Sequence, residues 1–173
     1  MNQTPKDIPR DGVNVLILCT GNSARSILGE AILNELGRKD GRLRAWSAGS
    51  HPRGQVHPMA LAELRRRGIA TERFRSKSWD EFSGPDAPRM DYVITVCDQA
   101  AGETCPYWPG APMKVHMGLP DPAAVEGAEA QAAAFTEAFD ILQRRLGAFA
   151  QLPLESTDRT ALAAALREIA TLT

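Results

Sequence analysis

At 173 residues and 18.8 kDa the chain is about one domain long, and a globular chain of this size buries about two-thirds of the surface its unfolded form exposes, so it can hold a core without disulfide staples or a structural metal. Twenty Lys and Arg against 21 Asp and Glu leave a net charge of −1, less basic than a general nucleic-acid binder, while 43% hydrophobic and 24% charged residues exclude wholesale disorder. The longest apolar runs, Val13–Cys19 and Tyr92–Cys97, fall well short of the ~20 residues that cross a bilayer, so no membrane association is expected.

Residues 1–12 carry Lys6, Asp7, Arg10 and Asp11 and no apolar stretch, which reads as a tail without a secretory signal and places the protein in the cytoplasm. Val13–Cys19 is almost continuously apolar and β-branched, the pattern of a strand buried on both faces of a parallel sheet. Ile27, Leu28, Ala31, Ile32 and Leu36 then recur at helical spacing until Gly37. Leu43–Ser47 reads as a second strand, and Pro58 opens a helix that Gly68 closes. Pro85 and Pro88 forbid a long helix across residues 71–90.

Tyr92–Cys97 is a third strand and Met113–Met117 a short fourth, with Gly102, Pro106, Pro109, Gly110 and Pro112 making the stretch between them irregular. Phe135, Phe139, Leu142, Leu146 and Phe149 form one stripe of a long helix that ends before Pro153. Ser156, Thr157 and Asp158 are N-cap candidates for a last helix bearing Leu162, Leu166 and Ile169. Alternating strands and helices predict one α/β domain over residues 13–150. Its core is an open parallel sheet of about four strands with helices on both faces, followed by an appended helical extension over 151–173. Arg65, Arg66, Arg67, Arg73, Arg75 and Lys77 cluster in one segment, whereas 121–140 holds five acids and no Lys or Arg. These read as two solvated helix faces or as one anion-attracting and one partner-facing surface.

The first strand runs into Cys19-Thr20-Gly21-Asn22-Ser23-Ala24-Arg25-Ser26, with a helix beginning at the far end. A cysteine followed after five residues by an arginine is a compact anion cradle. Backbone N–H groups of Thr20, Gly21, Asn22, Ser23 and Ala24 can curl round one tetrahedral oxyanion beside the positive end of the helix. Gly21 and Asn22 tolerate the positive φ such a curl needs. The Arg25 fork can grip two oxygens at once, the same donors favour a Cys19 thiolate, and Ser26 can donate its hydroxyl hydrogen to that sulfur. A nucleotide P-loop is excluded, because no Gly-Lys-Ser/Thr follows at the required spacing.

On these residues the chain resembles the low-molecular-weight tyrosine phosphatase superfamily, and within it the thioredoxin-linked arsenate reductases. The resemblance spans roughly residues 13–150 and rests on the Cys19–Ser26 loop, Ser47-Ala48-Gly49, Val96-Cys97-Asp98 with Cys105-Pro106, and Asp121-Pro122. It implies the low-molecular-weight phosphatase fold, an arsenate substrate, no bound cofactor and no metal. It assigns Cys19 as nucleophile, Arg25 as oxyanion grip and Asp121 as the acid that helps oxygen leave, against the plain alternative of a turn-forming Asp-Pro.

The same resemblance implies that Cys97 attacks the cysteine–arseno adduct, that arsenite leaves, and that the Cys19–Cys97 disulfide passes to Cys97–Cys105. Electrons then come from thioredoxin, or from glutaredoxin with glutathione. A single helix over 97–105 would hold its ends about 12 Å apart, whereas a disulfide needs Cα atoms within roughly 7 Å. The segment must therefore bend, and Gly102 and Pro106 permit it.

The chain departs from the family pattern in places. The spacing between Cys97 and Cys105 is one residue longer than in the best-known thioredoxin-linked members, and Ala24 stands where many relatives have a further cysteine. Some relatives hold potassium behind the loop; Glu30 and Ser47 match part of that site, but Ser78 falls where a carboxylate helps, so no ion is expected. A zinc site from Cys97, Cys105 and His116 lacks a fourth ligand and matches no known spacing, and His51 and His57, each before a proline, read as loop or cap residues. The alternatives to arsenate reduction are a phosphotyrosine or phosphate-monoester hydrolase and an idle oxyanion-binding module. The residues after Asp121-Pro122, Ala123 to Gly127, carry no aromatic of the kind that flanks a phosphatase cleft.

Overall fold

A computed structural model describes residues 12–173; apart from Gly12, the expected tail lies outside the described residues. Four parallel strands, β1 (Val13–Cys19), β2 (Leu43–Gly49), β3 (Tyr92–Thr95) and β4 (Met113–His116), lie in the order β2-β1-β3-β4. The α-helices among the described residues are α1 (Arg25–Gly37), α2 (Pro58–Arg66), α3 (Asp98–Gly102), α4 (Ala128–Ala150) and α5 (Arg159–Ile169). The expected third strand ends at Thr95, because Val96 and Cys97 turn into α3. The second runs on to Gly49, where Gly49 bridges Ser78.

Every residue of β1 is buried, as its unbroken apolar run required. Val13, Val15, Ile17 and Cys19 face a large core shared with all five helices, including the α4 stripe of Phe135, Phe139, Leu142, Leu146 and Phe149. Truncating Phe135, 1% exposed, to alanine would cost about 3–5 kcal/mol through lost transfer energy and an unfilled cavity. Leu16 and Leu18 face the opposite side with Phe82, Met90, Val93 and Trp108. That face is covered by a single 3-10 turn, Trp79–Phe82, and by irregular chain rather than long helices.

Most of the basic and acidic segments is solvated, as one expected reading has it: Arg65, Arg66, Arg73, Arg75, Glu126, Glu129 and Glu137 are exposed. The two segments meet where Arg67 donates to Asp140 at 2.7 Å; Arg67 also donates to Glu63 at 2.8 Å, and Arg66 grips Glu63 at 2.6 Å. Burial alone would raise the Glu63 carboxyl, but hydrogen bonds from Arg66, Arg67 and Thr136 outweigh it and hold the group below its ordinary value.

Asp158 caps α5 by accepting the Ala161 N–H at 3.0 Å. Leu166 and Ile169 of α5 join the main core, and Tyr92 Oη donates to the Leu154 carbonyl at 2.6 Å. The extension is therefore docked onto the sheet and α4. Among the described residues no helix is long and apolar enough to cross a membrane.

Candidate active site

The strand order puts the switch point of the sheet at β1: the chain leaves it to β2 on one side and returns to β3 on the other. Such a switch point opens a crevice at the carboxyl ends of the strands. Cys19 ends β1 there, paired in register with Gly49, and residues 20–24 carry the chain to α1.

The loop is held by Asn22. It is fully buried, with φ of 43°, a left-handed conformation that asparagine tolerates better than most side chains. Its Nδ2 donates to Ser26 Oγ at 2.8 Å and Ser47 Oγ at 3.0 Å, and its Oδ1 accepts the Lys77 N–H at 2.9 Å. The Thr20, Gly21 and Ser23 carbonyls accept the N–H groups of His51, Arg53 and His57. With its carbonyls so committed, the loop has its N–H groups to offer an anion. Gly21 does not adopt the positive φ expected of it; its missing side chain makes room for Arg53, whose Nε would lie 3.1 Å from a Cβ there. Gly49 is needed for close approach, since a Cβ would stand 2.4 Å from the Thr20 carbonyl oxygen.

Cys19 Sγ lies 2.9 Å from Ser26 Oγ, both atoms buried. Because Ser26 Oγ already accepts from Asn22, its own hydrogen is free to point at the sulfur. Arg25 Nη1 donates to the Leu119 carbonyl at 2.9 Å, and Nη2 stands 3.8 Å from Asp121 Oδ2. Asp121 Oδ1 accepts the Ala123 N–H at 3.0 Å. The side chain therefore forms the turn that Asp-Pro suggested and also turns its other oxygen to the arginine.

A cleft of about 180 Å³ opens over the loop, and Cys19, Arg25, Cys97 and Asp121 all line it. Thr20, Gly21, Ser23 and Ala24 line it as well, whereas Asn22 and Ser26 support it from beneath. Among the described residues no Phe, Tyr or Trp lines the cleft. Cys97 is 3% exposed. Its Sγ sits 3.5 Å from Thr20 Oγ1 and accepts the Ala100 N–H at 3.4 Å, capping α3. Cys105 is apart from this group: it packs beside the opposite core of Leu16, Leu18 and Trp108 and lies 3.7 Å from the Glu103 carbonyl. All three thiols are free.

Several contributors were not foreseen. His51 and Arg53 line the cleft mouth beside Arg25; the only signal was a basic residue just beyond Ser47-Ala48-Gly49. Behind the loop, Glu30 accepts the Ser47 N–H at 3.1 Å, and the Lys77 ammonium stands 4.0 Å from it. Burial raises the Glu30 carboxyl above its ordinary value, and it lowers Lys77. Nothing in the spacing of residues 30 and 77 could have paired them. His57 is a cap, as expected, accepting the Met59 N–H. Among the described residues no three His, Cys, Asp or Glu side chains converge on a metal-binding point.

Residues 14–160 match the model of the low molecular weight phosphotyrosine protein phosphatase family. The chain is 32% identical over 140 residues to an arsenate reductase of Halalkalibacterium halodurans, covering 79% of this chain and 94% of the relative. It is 34% identical over the same length, with the same coverage, to one of Bacillus licheniformis. Among solved structures, the thioredoxin-dependent arsenate reductase of Corynebacterium glutamicum superposes with a TM-score of 0.59 at 24% identity, over 83% of this chain and 64% of that one. The low molecular weight protein tyrosine phosphatase of T. tengcongensis gives 0.61 at 20% identity, over 79% and 99%. At these identities both superpositions speak for the fold.

Proposed function

The chain belongs to the low molecular weight phosphotyrosine protein phosphatase family as an arsenate-reducing enzyme, and we propose that it works through a Cys19 adduct followed by a thiol relay through Cys97 and Cys105. The observation that carries this reading is a second buried thiol, Cys97, lining the same cleft as Cys19 and touching the loop at Thr20. Hydrolysis, in which water clears the cysteine adduct, has no use for it. The cleft lining also has none of the Phe, Tyr or Trp side chains that would flank a phosphotyrosine ring.

Arsenate enters against Arg25 and the N–H groups of residues 20–24. The Cys19 thiolate, steadied by the Ser26 hydroxyl, attacks arsenic, and one oxygen leaves as water with a proton from Asp121. The bond from Arg25 Nη1 to Leu119 fixes the plane of the guanidinium that grips the oxyanion. Cys97 then attacks the Cys19 sulfur. The sulfur–arsenic bond breaks, its electron pair stays on arsenic, and arsenite departs as the Cys19–Cys97 disulfide forms. Cys105 attacks Cys97 and Cys19 leaves as thiolate. Thioredoxin, or glutaredoxin with glutathione, reduces the resulting Cys97–Cys105 bond. Such a relay needs a reducing compartment, which fits the cytoplasm, and its product suits an arsenic-detoxification system.

The test is arsenate-dependent NADPH oxidation, run separately with a thioredoxin system and with a glutaredoxin and glutathione system. Turnover with one of them is expected. Brisk hydrolysis of an aryl phosphate with no arsenate-dependent oxidation by either system would overturn the reading.

A further inference from the structure

Three residues outside the cleft make a closed chain at the end of the sheet. Thr95 Oγ1, at the end of β3, lies 2.8 Å from His116 Nδ1, at the end of β4. His116 Nε2 lies 2.8 Å from Asp98 Oδ1, the first residue of α3. Facing a carboxylate, Nε2 carries a hydrogen and donates it to Asp98. Asp98 directly follows Cys97, so the histidine grips the helix at its cysteine.

The backbone beside the pair is shaped for it. A Cβ on Gly118 would stand 2.6 Å from Asp98 Oδ1 and 2.7 Å from His116 Nε2. Gly118 has no positive φ, so conformation does not require glycine there; the space for the His116–Asp98 hydrogen bond does.

The other end of the same segment is held far less. Glu103 follows α3, and its Oε2 reaches only to 4.0 Å from His51 Nδ1. Its Oε1 is buried without a hydrogen-bond partner among the described residues, an arrangement that costs free energy until it is relieved. Cys105 lies just beyond.

We infer that His116 is a positioning residue for the relay: it fixes the Cys97 end of α3 through Asp98, so that Cys97 stays aimed at Cys19 and Cys105 is the thiol that travels. The inference rests on the relay proposed above. In the step it serves, the Cys97 thiolate bonds to the Cys19 sulfur and the sulfur–arsenic pair leaves with arsenic as arsenite. In the next, Cys105 bonds to Cys97 and Cys19 departs as thiolate. Both steps need the Cys97 sulfur in one place, and no outside oxidant enters.

The experiment is arsenite release in a single turnover of the full chain carrying Cys105→Ser, so that only the first disulfide forms. Asp98→Ala, His116→Ala and Gly118→Ala are each added to it. Each should slow release on the order of tenfold, the scale expected when a reacting group is loosened by part of an ångström. Alkylation of Cys19 by iodoacetamide should keep its rate, since that sulfur is held by Ser26. Asp98→Asn keeps an acceptor for Nε2 and should recover most of the rate, which a general loss of structure would not allow. The Asp98 side chain is 94% exposed, so its variants remain folded even if those at His116 or Gly118 do not. Absence of arsenite release in the Cys105→Ser parent would sink the relay itself. Release by the parent, with Asp98→Ala releasing at the same rate, would sink the positioning role and leave the relay standing.

Discussion

The loop that bears Cys19 and the segment that bears Cys97 and Cys105 leave the same edge of the sheet and are secured in opposite ways. The first is bound along its whole length: Asn22 ties it to Ser26, Ser47 and Lys77, and three of its carbonyls are taken by residues 51–57. The second is pinned at Asp98 and slack at Glu103. A site that must present a preformed cradle to an oxyanion gains from rigidity. A segment that must close a disulfide across a helix has to keep one end free. The contrast shows where this fold spends its hydrogen bonds.

Substitutions test each side of that contrast. The largest effect is expected from Cys19→Ser, which should abolish turnover in both donor assays while the circular dichroism spectrum stays unchanged. Arg25→Lys should fail almost as badly as Arg25→Ala, by about two to three orders of magnitude in kcat/KM, because lysine keeps the charge but loses the planar two-oxygen grip. Near-normal kinetics for the lysine variant would show that charge alone matters.

Asp121→Asn should slow adduct formation by roughly 10²-fold in rapid-mixing experiments, yet leave exchange between the cysteines at its normal rate. A wild-type rate of adduct formation would assign Asp121 to the turn alone. Asn22→Ala strips the rigid loop of its tie and should lower stability by about 2–3 kcal/mol, since it leaves buried partners unsatisfied. Denaturant unfolding measures this, and a change within error would mean that the loop is held by its carbonyls.

The smallest effect lies away from the site. Glu63 has its carboxyl held below the unfolded value. Its contribution to stability is therefore present above the unfolded pKa and lost as pH falls through the folded one. Glu63→Gln should cost about 1–2 kcal/mol at neutral pH and progressively less toward strong acid. An equal cost at every pH would mean that Glu63 acts by packing rather than by charge.

Much of this was legible in the sequence because it is local. The apolar run of β1, the Phe stripe of α4 and the Asp158 cap each obey a short-range rule, and the structure places them as expected. The Cys19–Ser26 loop could be read from the chemistry of its residues at that spacing, down to the Ser26 contact with sulfur. What could not be read is contact between distant segments. Lys77 behind Glu30, Arg53 over Gly21 and His116 on Asp98 depend on how the crossovers bring strands and loops together. Gly21 shows the same limit from the other side. It looked like a residue needing unusual φ, and it is glycine because another side chain lies on top of it. Nor did the two charge segments hint that Arg67, just past α2, would reach Asp140 on α4.

Peptide mapping after one turnover with arsenate, under non-reducing conditions and with free thiols blocked, tests the central claim most directly. A Cys97–Cys105 disulfide is expected in the wild-type protein and a Cys19–Cys97 disulfide when Cys105 is replaced by serine. A wild-type protein that turns over arsenate repeatedly with all three thiols still reduced, or a Cys105→Ser variant with full multiple turnover on thioredoxin, would contradict it.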